Sequence, residues 1–417
     1  MLIIHGNIKT MADEDFPDGF VQIEEGKIVA VGAMSDCPQA DAANRSGAAG
    51  ESKDEGGVLD VQGAWVMPGI VEAHCHMGIT EEKKGMEGDD CNETVDPITP
   101  QLRAIDAINP MDAAFNDALA AGITSAMVGP GSSNVVGGQF AFIKTHGRCI
   151  DQMIVKAPAA MKVAFGENPK VNYSGQGKSP STRMATAAML REELAKAKNY
   201  QEKRRNNADE PLDFRYECWL PVLKREIPLK AHVHRTDDIL TAVRIAKEFR
   251  LRMTLDHCSE GHLILDELKE AGFPAIVGPD IASRNKIEVQ NMAFKTAGLL
   301  AGKGILTAIT TDHPVSKIQF LPICAGLAVK SGMDLEEGLR AITINAAKIC
   351  GVDDCLGSLA PGKDADIAVF TGNPMEVFTE TLYTFINGKI VYRKDEKCAT
   401  INLCGKKSYE KNQSVFC

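Results

Sequence analysis

The apolar and polar positions of this chain fall into three textures. Over the first 33 residues, short apolar runs alternate with polar groups around turns: Leu2-Ile3-Ile4, then Gly19-Phe20-Val21-Gln22-Ile23, then Lys27-Ile28-Val29-Ala30-Val31-Gly32. That pattern predicts short antiparallel strands. Residues 34–57 are rich in Ala, Gly, Ser, Asp and Glu and read as a solvated loop. Val58-Leu59-Asp60-Val61 then resumes strand character. From Trp65 onward, apolar strands alternate with amphipathic helices, as in a parallel α/β structure. Strands are expected at 70–76, 123–128, 140–144, 160–166, 229–234, 252–257, 274–278 and 305–311, and helices at 111–121, 182–205, 236–248, 261–271 and 334–349. Past residue 356 the antiparallel texture returns in 365–370 and 385–392, with Asn387-Gly388 as a hairpin turn.

Eight strands with interleaved helices match a (β/α)8 TIM barrel over 67–356, although 140–144 also reads as a hairpin arm. The two ends of the chain, 1–66 and 357–395, are expected to pair in a small β-sandwich. Residues 396–417, with lysines, polar residues and three cysteines, read as a loosely ordered tail.

Composition narrows the class. A chain of 417 residues with 44% hydrophobic and 24% charged content is that of an ordinary globular protein. A net charge of −10 without a basic patch argues against a nucleic-acid partner. No apolar run approaches the roughly 20 residues that span a bilayer, so no membrane partner is expected. Met1–Asn7 lacks the basic and long apolar regions of a signal peptide. The 12 cysteines are scattered without a Cys-x-x-Cys pair, which predicts reduced thiols in a cytoplasmic protein.

Chemistry concentrates at the predicted strand ends, where β/α barrels place their functional groups. The first strand, preceded by Pro68-Gly69, ends in His74-Cys75-His76, whose imidazoles share a face by the period of two. The fourth runs into Glu167, the fifth ends in His232-Val233-His234, the sixth in His257 and the eighth in Asp312. Five of the nine histidines thus stand at strand tips. Nitrogen and oxygen donors converging from several strands are the ligation pattern of catalytic zinc and related metals.

These residues resemble the amidohydrolase superfamily over nearly the whole chain: the Pro68-Gly69 to His74-Cys75-His76 opening, single histidines ending strands five and six, an aspartate ending strand eight, and the returning stretch Gly357-Ser358-Leu359-Ala360-Pro361-Gly362-Lys363-Asp364-Ala365-Asp366-Ile367. More narrowly, the chain resembles amidohydrolases related to imidazolonepropionases and Xaa-Pro dipeptidases. The resemblance implies a distorted barrel with a β-sandwich, one or two divalent metals (zinc being expected), and hydrolysis of a C–N bond in a small substrate. It implies His74, His76, His232 and His257 as metal ligands, with Asp312 both a ligand and the catalytic proton shuttle. Many binuclear members bridge their metals from the fourth strand with a carboxylated lysine or a glutamate. Here Glu167 is expected over Lys162, because it lies nearer the strand's C-terminal end.

Weaker signals surround this set. His234, Arg235, Arg284, Asn134 and Gln139 are expected to contact substrate, the last two from the glycine-rich loop 129–139. His262 and His313 read as outer supports of the site. The stretch 168–228 reads as a lid or a dimer contact, and a homo-oligomer is expected. Two other readings stay open: a deaminase, weakened because position 235 is Arg235 where that branch carries a glutamate, and a non-catalytic assembly protein, opposed by retention of the whole ligand set.

Overall fold

In the computed structural model, residues 1–38, 57–82, 85–207 and 209–394 are described. The predicted tail at 396–417, and most of the predicted loop at 34–57, lie outside the described residues. All eight predicted barrel strands form. They are β6 (Ile70–Cys75), β7 (Ile123–Val128), β8 (Val136–Lys144), β9 (Ile154–Ala164), β10 (Leu229–Val233), β11 (Met253–His257), β12 (Ala275–Val277) and β13 (Thr307–Ile309), hydrogen-bonded in that order. Strands β6, β7, β8 and β10–β12 are buried end to end and β9 over its last six residues, so runs such as Ile123–Val128 carry no polar stripe.

The third stave explains the distortion. β8 pairs antiparallel with both β7 and β9, whereas β6–β7 and the pairs from β9 through β13 are parallel. The segment is therefore at once a stave and a hairpin arm.

Hydrogen-bond ladders do not join β13 to β6. Glu72, on β6, bridges that seam instead. Its Oε1 accepts from Thr310 Oγ1 at 2.6 Å and from the His74 amide at 3.0 Å. Its Oε2 accepts from the Thr311 amide at 2.9 Å and Thr311 Oγ1 at 2.6 Å. A fully buried carboxylate with four donors is a satisfied one. Thr310 Oγ1 shares its single proton between Glu72 Oε1 and the His74 carbonyl, also 2.6 Å away, and the His76 amide donates to the His313 carbonyl at 2.8 Å.

A second eight-stranded sheet comes from both chain ends: β1 (Leu2–Ile8), β2 (Phe16–Glu24), β3 (Lys27–Ala33), β4 (Val58–Asp60), β5 (Trp65–Pro68), β14 (Ile367–Phe370), β15 (Thr381–Ile386) and β16 (Lys389–Arg393). The sheet curls on itself. Ala365 donates to the Gly26 carbonyl and accepts from Gly388, so the β2–β3 and β15–β16 turns are stitched together. Gly69 joins β5 to β6; a Cβ there would fall 2.1 Å from Thr124 Oγ1, so only glycine lets the chain pass from one sheet to the other.

The helices also follow their patterns, except at 261–271, where a short turn Gly261–Leu263 precedes the helix Leu265–Ala271, and at 334–349. The predicted 334–349 helix is two, Leu335–Ala341 and Ile344–Cys350. Thr343 Oγ1 bonds the Leu339 carbonyl, and the Ile342 carbonyl is diverted to the Val71 amide of β6, which breaks the helix where β-branched residues cluster. The stretch 168–228, expected as a lid or a dimer contact, connects β9 to β10. Its helix Arg183–Asn206 buries Leu190, Leu194, Ala197 and Tyr200, and Arg183 pairs with Asp238 of the helix Thr236–Phe249 at 3.0 Å. Lys203, Arg204 and Arg205 fall in its last turn, where they complement the helix dipole. No helix among the described residues is long and apolar enough to cross a membrane.

Candidate metal centre at the strand ends

Strand register sets the depth of each inward side chain. His232 on β10 lies level with Asp256 on β11 and Ala164 on β9, while Lys162 lies level with Lys230, two residues deeper. The inward set on β11 is Thr254 and Asp256, so simple alternation would aim His257 away. His257 instead adopts φ +72°, and the left-handed backbone turns its ring back into the site. Asp312 has φ +50°. Two non-glycine residues held in this region at one site are strained features that the surrounding fold must maintain.

The result is a dense cluster. His74, His257 and Asp312 bring donor atoms within 4.8 Å of one another, and so do His232, His234 and His257. Asp312 Oδ1 is 3.2 Å from His76 Nε2 and 3.5 Å from His74 Nε2. All five imidazoles are buried.

Outer contacts fix which nitrogen faces inward. His76 Nδ1 donates to the Gly129 carbonyl at 2.6 Å, and His257 Nδ1 to the Gly278 carbonyl at 2.7 Å, leaving each Nε2 lone pair for the site. His74 Nδ1 lies 2.9 Å from Asp256 Oδ2. Asp256 Oδ1 in turn accepts from Thr254 Oγ1 at 2.7 Å and sits 3.4 Å from Lys230 Nζ, which also donates to the Ala73 carbonyl. This carboxylate–histidine arrangement orients a ligand and raises its basicity.

Charge follows from burial and neighbours. Burial holds His74, His232 and His257 well below the ordinary histidine value and takes His234 down to about 4, so the four rings are neutral, the form that binds metal. Burial also opposes charge on His76, but Cys91 and Asp312 outweigh it and lift His76 to about 10. In the metal-free protein a proton on His76 Nε2 thus stands where a cation would otherwise separate it from Asp312. Burial opposes the charge of Asp312 too, yet His257, His76 and Lys162 hold it below the ordinary carboxylate range. Lys162 is lowered to about 8, first by burial.

These directions fix a pH dependence. A histidine whose folded pKa is lowered contributes fully above its unfolded value of 6.5 and loses stability as pH falls below it. For each of His74, His232, His234 and His257 the metal-free protein should lose about 1.4 kcal/mol per pH unit below 6.5. His76 runs the other way: its contribution is complete below 6.5 and is lost only as pH rises through about 10. Urea midpoints between pH 7.5 and 5 read the balance, and a flat profile would show that the rings are solvated.

The cluster accepts a divalent cation on its own evidence. His232 Nδ1 and Glu288 Oε1 are buried without a hydrogen-bond partner. Imidazole and carboxylate donors suit zinc and its neighbours.

The predicted residues do not all arrive. His74, His76, His232, His234, His257 and Asp312 converge. Glu167 does not join either donor group; it opens the helix Glu167–Ser174, past Gly166, with its amide on Glu288 Oε2 at 2.8 Å. Lys162 stands at the centre instead, its Nζ 3.3 Å from His74 Nε2, because its long stem lifts the amine from two residues deeper. Asn134 is a loop staple: its amide donates to the Asp96 carbonyl and Thr99 Oγ1 and its carbonyl accepts from Tyr173. Gln139 is tied to the Pro100 carbonyl, Arg235 is paired with Asp237, and Arg284 is exposed in the loop after β12. His313 is buried and accepts from the Ile318 amide, and His262 meets Thr296.

Four members of the site were not singled out from sequence: Glu72, Lys230, Asp256 and Glu288. The first three share a legible signal, a charge inside an apolar strand, which must find a partner when buried. Cys91, whose thiol interacts with His76 and is lowered by it against the effect of burial, carries no such signal.

Comparison with known proteins agrees with this geometry. Residues 65–391 match the amidohydrolase family model. The protein is 27% identical over 378 residues to amidohydrolase tasK of Hapsidospora irregularis, covering 82% of this chain and 38% of that protein. It is 28% identical over 191 residues to imidazolonepropionase of Fusobacterium nucleatum, covering 41% of this chain and 42% of that one. The chain therefore spans less than half the length of these two relatives. Among solved structures it is similar to an amidohydrolase from Thermotoga maritima MSB8, with TM-score 0.87 and 37% identity over 94% of this chain and 100% of that one. The family match over most of its length, on a barrel with donors gathered at the strand ends, places this chain in the amidohydrolase family.

Proposed function

We propose that the protein is a metal-dependent hydrolase that cleaves a C–N bond (an amide, a cyclic amide or a dipeptide-like bond) in a small substrate. The observation that carries this is the convergence of His74, His76, His257 and Asp312 at the strand ends, with donor atoms of His74, His257 and Asp312 within 4.8 Å of one another and Asp312 Oδ1 also 3.2 Å from His76 Nε2. His74, His76, His232, His257 and Asp312 would hold the metal, with Lys162 in place of Glu167 as the fourth-strand contributor. A divalent ion bound there lowers the pKa of water toward ~7 and polarises a carbonyl.

The remaining steps belong to the chain. Asp312, kept ionised by its neighbours, accepts a proton from the attacking water and delivers it to the departing nitrogen. The Gly129 and Gly278 carbonyls and Asp256 hold the imidazoles so that little reorganises during the reaction. His234, braced by Ser259 Oγ at 2.8 Å, presents Nε2 beside them as a substrate or ion contact. An amine lowered to about 8, as in Lys162, is partly unprotonated near neutrality and open to carboxylation.

The proposal extends to zinc as the ion, a cytoplasmic location and a homo-oligomer. The donor set supports the first, the free thiols of all nine cysteines among the described residues the second, and exposed Phe320, Val377 and Phe378 the third. A substrate panel of N-acyl amino acids, dipeptides, lactams and amino-substituted heterocycles, with and without chelator, tests the reaction class. Carboxylate and amine release abolished by chelator is expected. Ammonia release from the heterocycles alone would point to a deaminase.

A further inference from the structure

Three connections at the C-terminal face of the barrel meet at one amide. Asn168 stands in the first turn of the helix Glu167–Ser174, just past β9. Its Nδ2 donates to Ser132 Oγ, in the loop after β7, at 2.8 Å. Its Oδ1 accepts from Lys286 Nζ, in the loop after β12, at 2.6 Å. An ammonium can only donate, so the oxygen of this amide must face Lys286 and the nitrogen Ser132. Nδ2 also lies 3.4 Å from His232 Nε2, which places the row of polar groups at the rim of the histidine cluster.

Both ends of the row keep donors to spare. Ser132 Oγ accepts from Asn168, so its hydroxyl hydrogen points elsewhere, and no acceptor takes it among the described residues. Lys286 has three N–H donors and spends one on Asn168. Glu288 Oε1, the one carboxylate oxygen close to Nζ among the described residues, is 3.9 Å away and outside hydrogen-bond reach. The Lys286 side chain is 39% exposed, so a ligand reaches it from solvent.

We propose that Lys286 and Ser132, joined through Asn168, receive a carboxylate carried by the substrate, an assignment that rests on the reading of the protein as a C–N hydrolase. The protein then selects amides bearing a free acid, such as N-acyl amino acids, over neutral lactams and heterocycles. An ammonium and a hydroxyl on two sides of a fixed amide offer a carboxylate one charge-assisted hydrogen bond and a second, neutral one. Glu288 narrows the choice of anion. Its charge leaves the local pair neutral, which suits a monoanion and disfavours a phosphate dianion. The row lies against the metal-ligand cluster, so the acid and the scissile bond belong to one small molecule.

The test uses the metal-loaded full chain and matched pairs of N-acetyl or N-benzoyl amino acids and their carboxamides. Wild type should favour the acid by about 10–100-fold in kcat/KM, the worth of one hydrogen bond between charged groups. Lys286→Met should erase that preference through KM, with kcat and the rate on the carboxamide unchanged. Ser132→Ala should erode it by about 3–10-fold, the worth of a neutral hydrogen bond, and Arg284→Met should leave it intact. Carboxamides cleaved as well as acids by wild type, or equal losses on both in Lys286→Met, would overturn the subsite and leave hydrolysis standing. Binding is read apart from turnover, by calorimetric titration of the same acids into wild type and Lys286→Met. Acids that bind, and bind more weakly to Lys286→Met, without any being cleaved would support the subsite and overturn the hydrolase reading. Acids neither bound nor cleaved would overturn the subsite.

Discussion

Asp312→Asn should reduce kcat by about 10^2–10^4-fold, the usual cost of losing a positioned general base, with the fold intact and metal still bound. Asparagine keeps the shape and one oxygen near His76 Nε2 and His74 Nε2, so the donor geometry survives in outline. What disappears is the proton acceptor. The loss should fall on kcat more than on KM, because the group acts during proton transfer rather than in holding substrate. The rate is followed on whichever amide the panel yields, alongside metal content and thermal midpoint. Activity near wild type with one metal equivalent bound would falsify the assignment of Asp312 as proton shuttle.

The second large effect is on stability. Glu72→Ala should cost about 3–5 kcal/mol, because buried donors left unsatisfied cost about 1–3 kcal/mol each and the hydroxyls recover part by rotating. Two of the four donors are main-chain amides of His74 and Thr311, which have no such freedom. Against a typical stability of about 5–15 kcal/mol this is a large share. Glu72→Gln should also destabilise, since its NH2 cannot accept from Thr311. Both effects would appear as lower urea midpoints, with a metal-binding defect following, since His74 hangs on the same seam. A shift below 1 kcal/mol in Glu72→Ala would mean that the β6–β13 seam is held by other contacts.

Much of this molecule is legible in its sequence, and the exceptions have physical causes. Buried strands declare themselves by continuous apolar runs, and strand tips by the histidines that interrupt them. The Asn387-Gly388 turn adopts positive φ at both residues, as its composition requires. Site residues near a strand end are harder to rank. Nearness to the tip favours Glu167, but β9 ends at Ala164 and Glu167 already belongs to the next helix, whereas Lys162 lies within the strand and has the reach. His257 is inward only because of a left-handed backbone that no alternation pattern encodes. Asn134 and Gln139 sit in a glycine-rich loop of the kind that borders sites, yet their amides are consumed by the backbone of the neighbouring 96–100 segment. Glu288 arrives from a polar loop without periodicity, so nothing local marks it before folding brings it to His232 and His234.

Everything proposed for the chemistry depends on a divalent ion at the strand ends of this barrel. Anomalous diffraction at the zinc edge, from crystals grown with Zn2+, tests it most directly. A peak is expected about 2.0–2.2 Å from donor atoms of Asp312 and at least two of His74, His76 and His257. A crystal of active protein with no peak among these residues would contradict it.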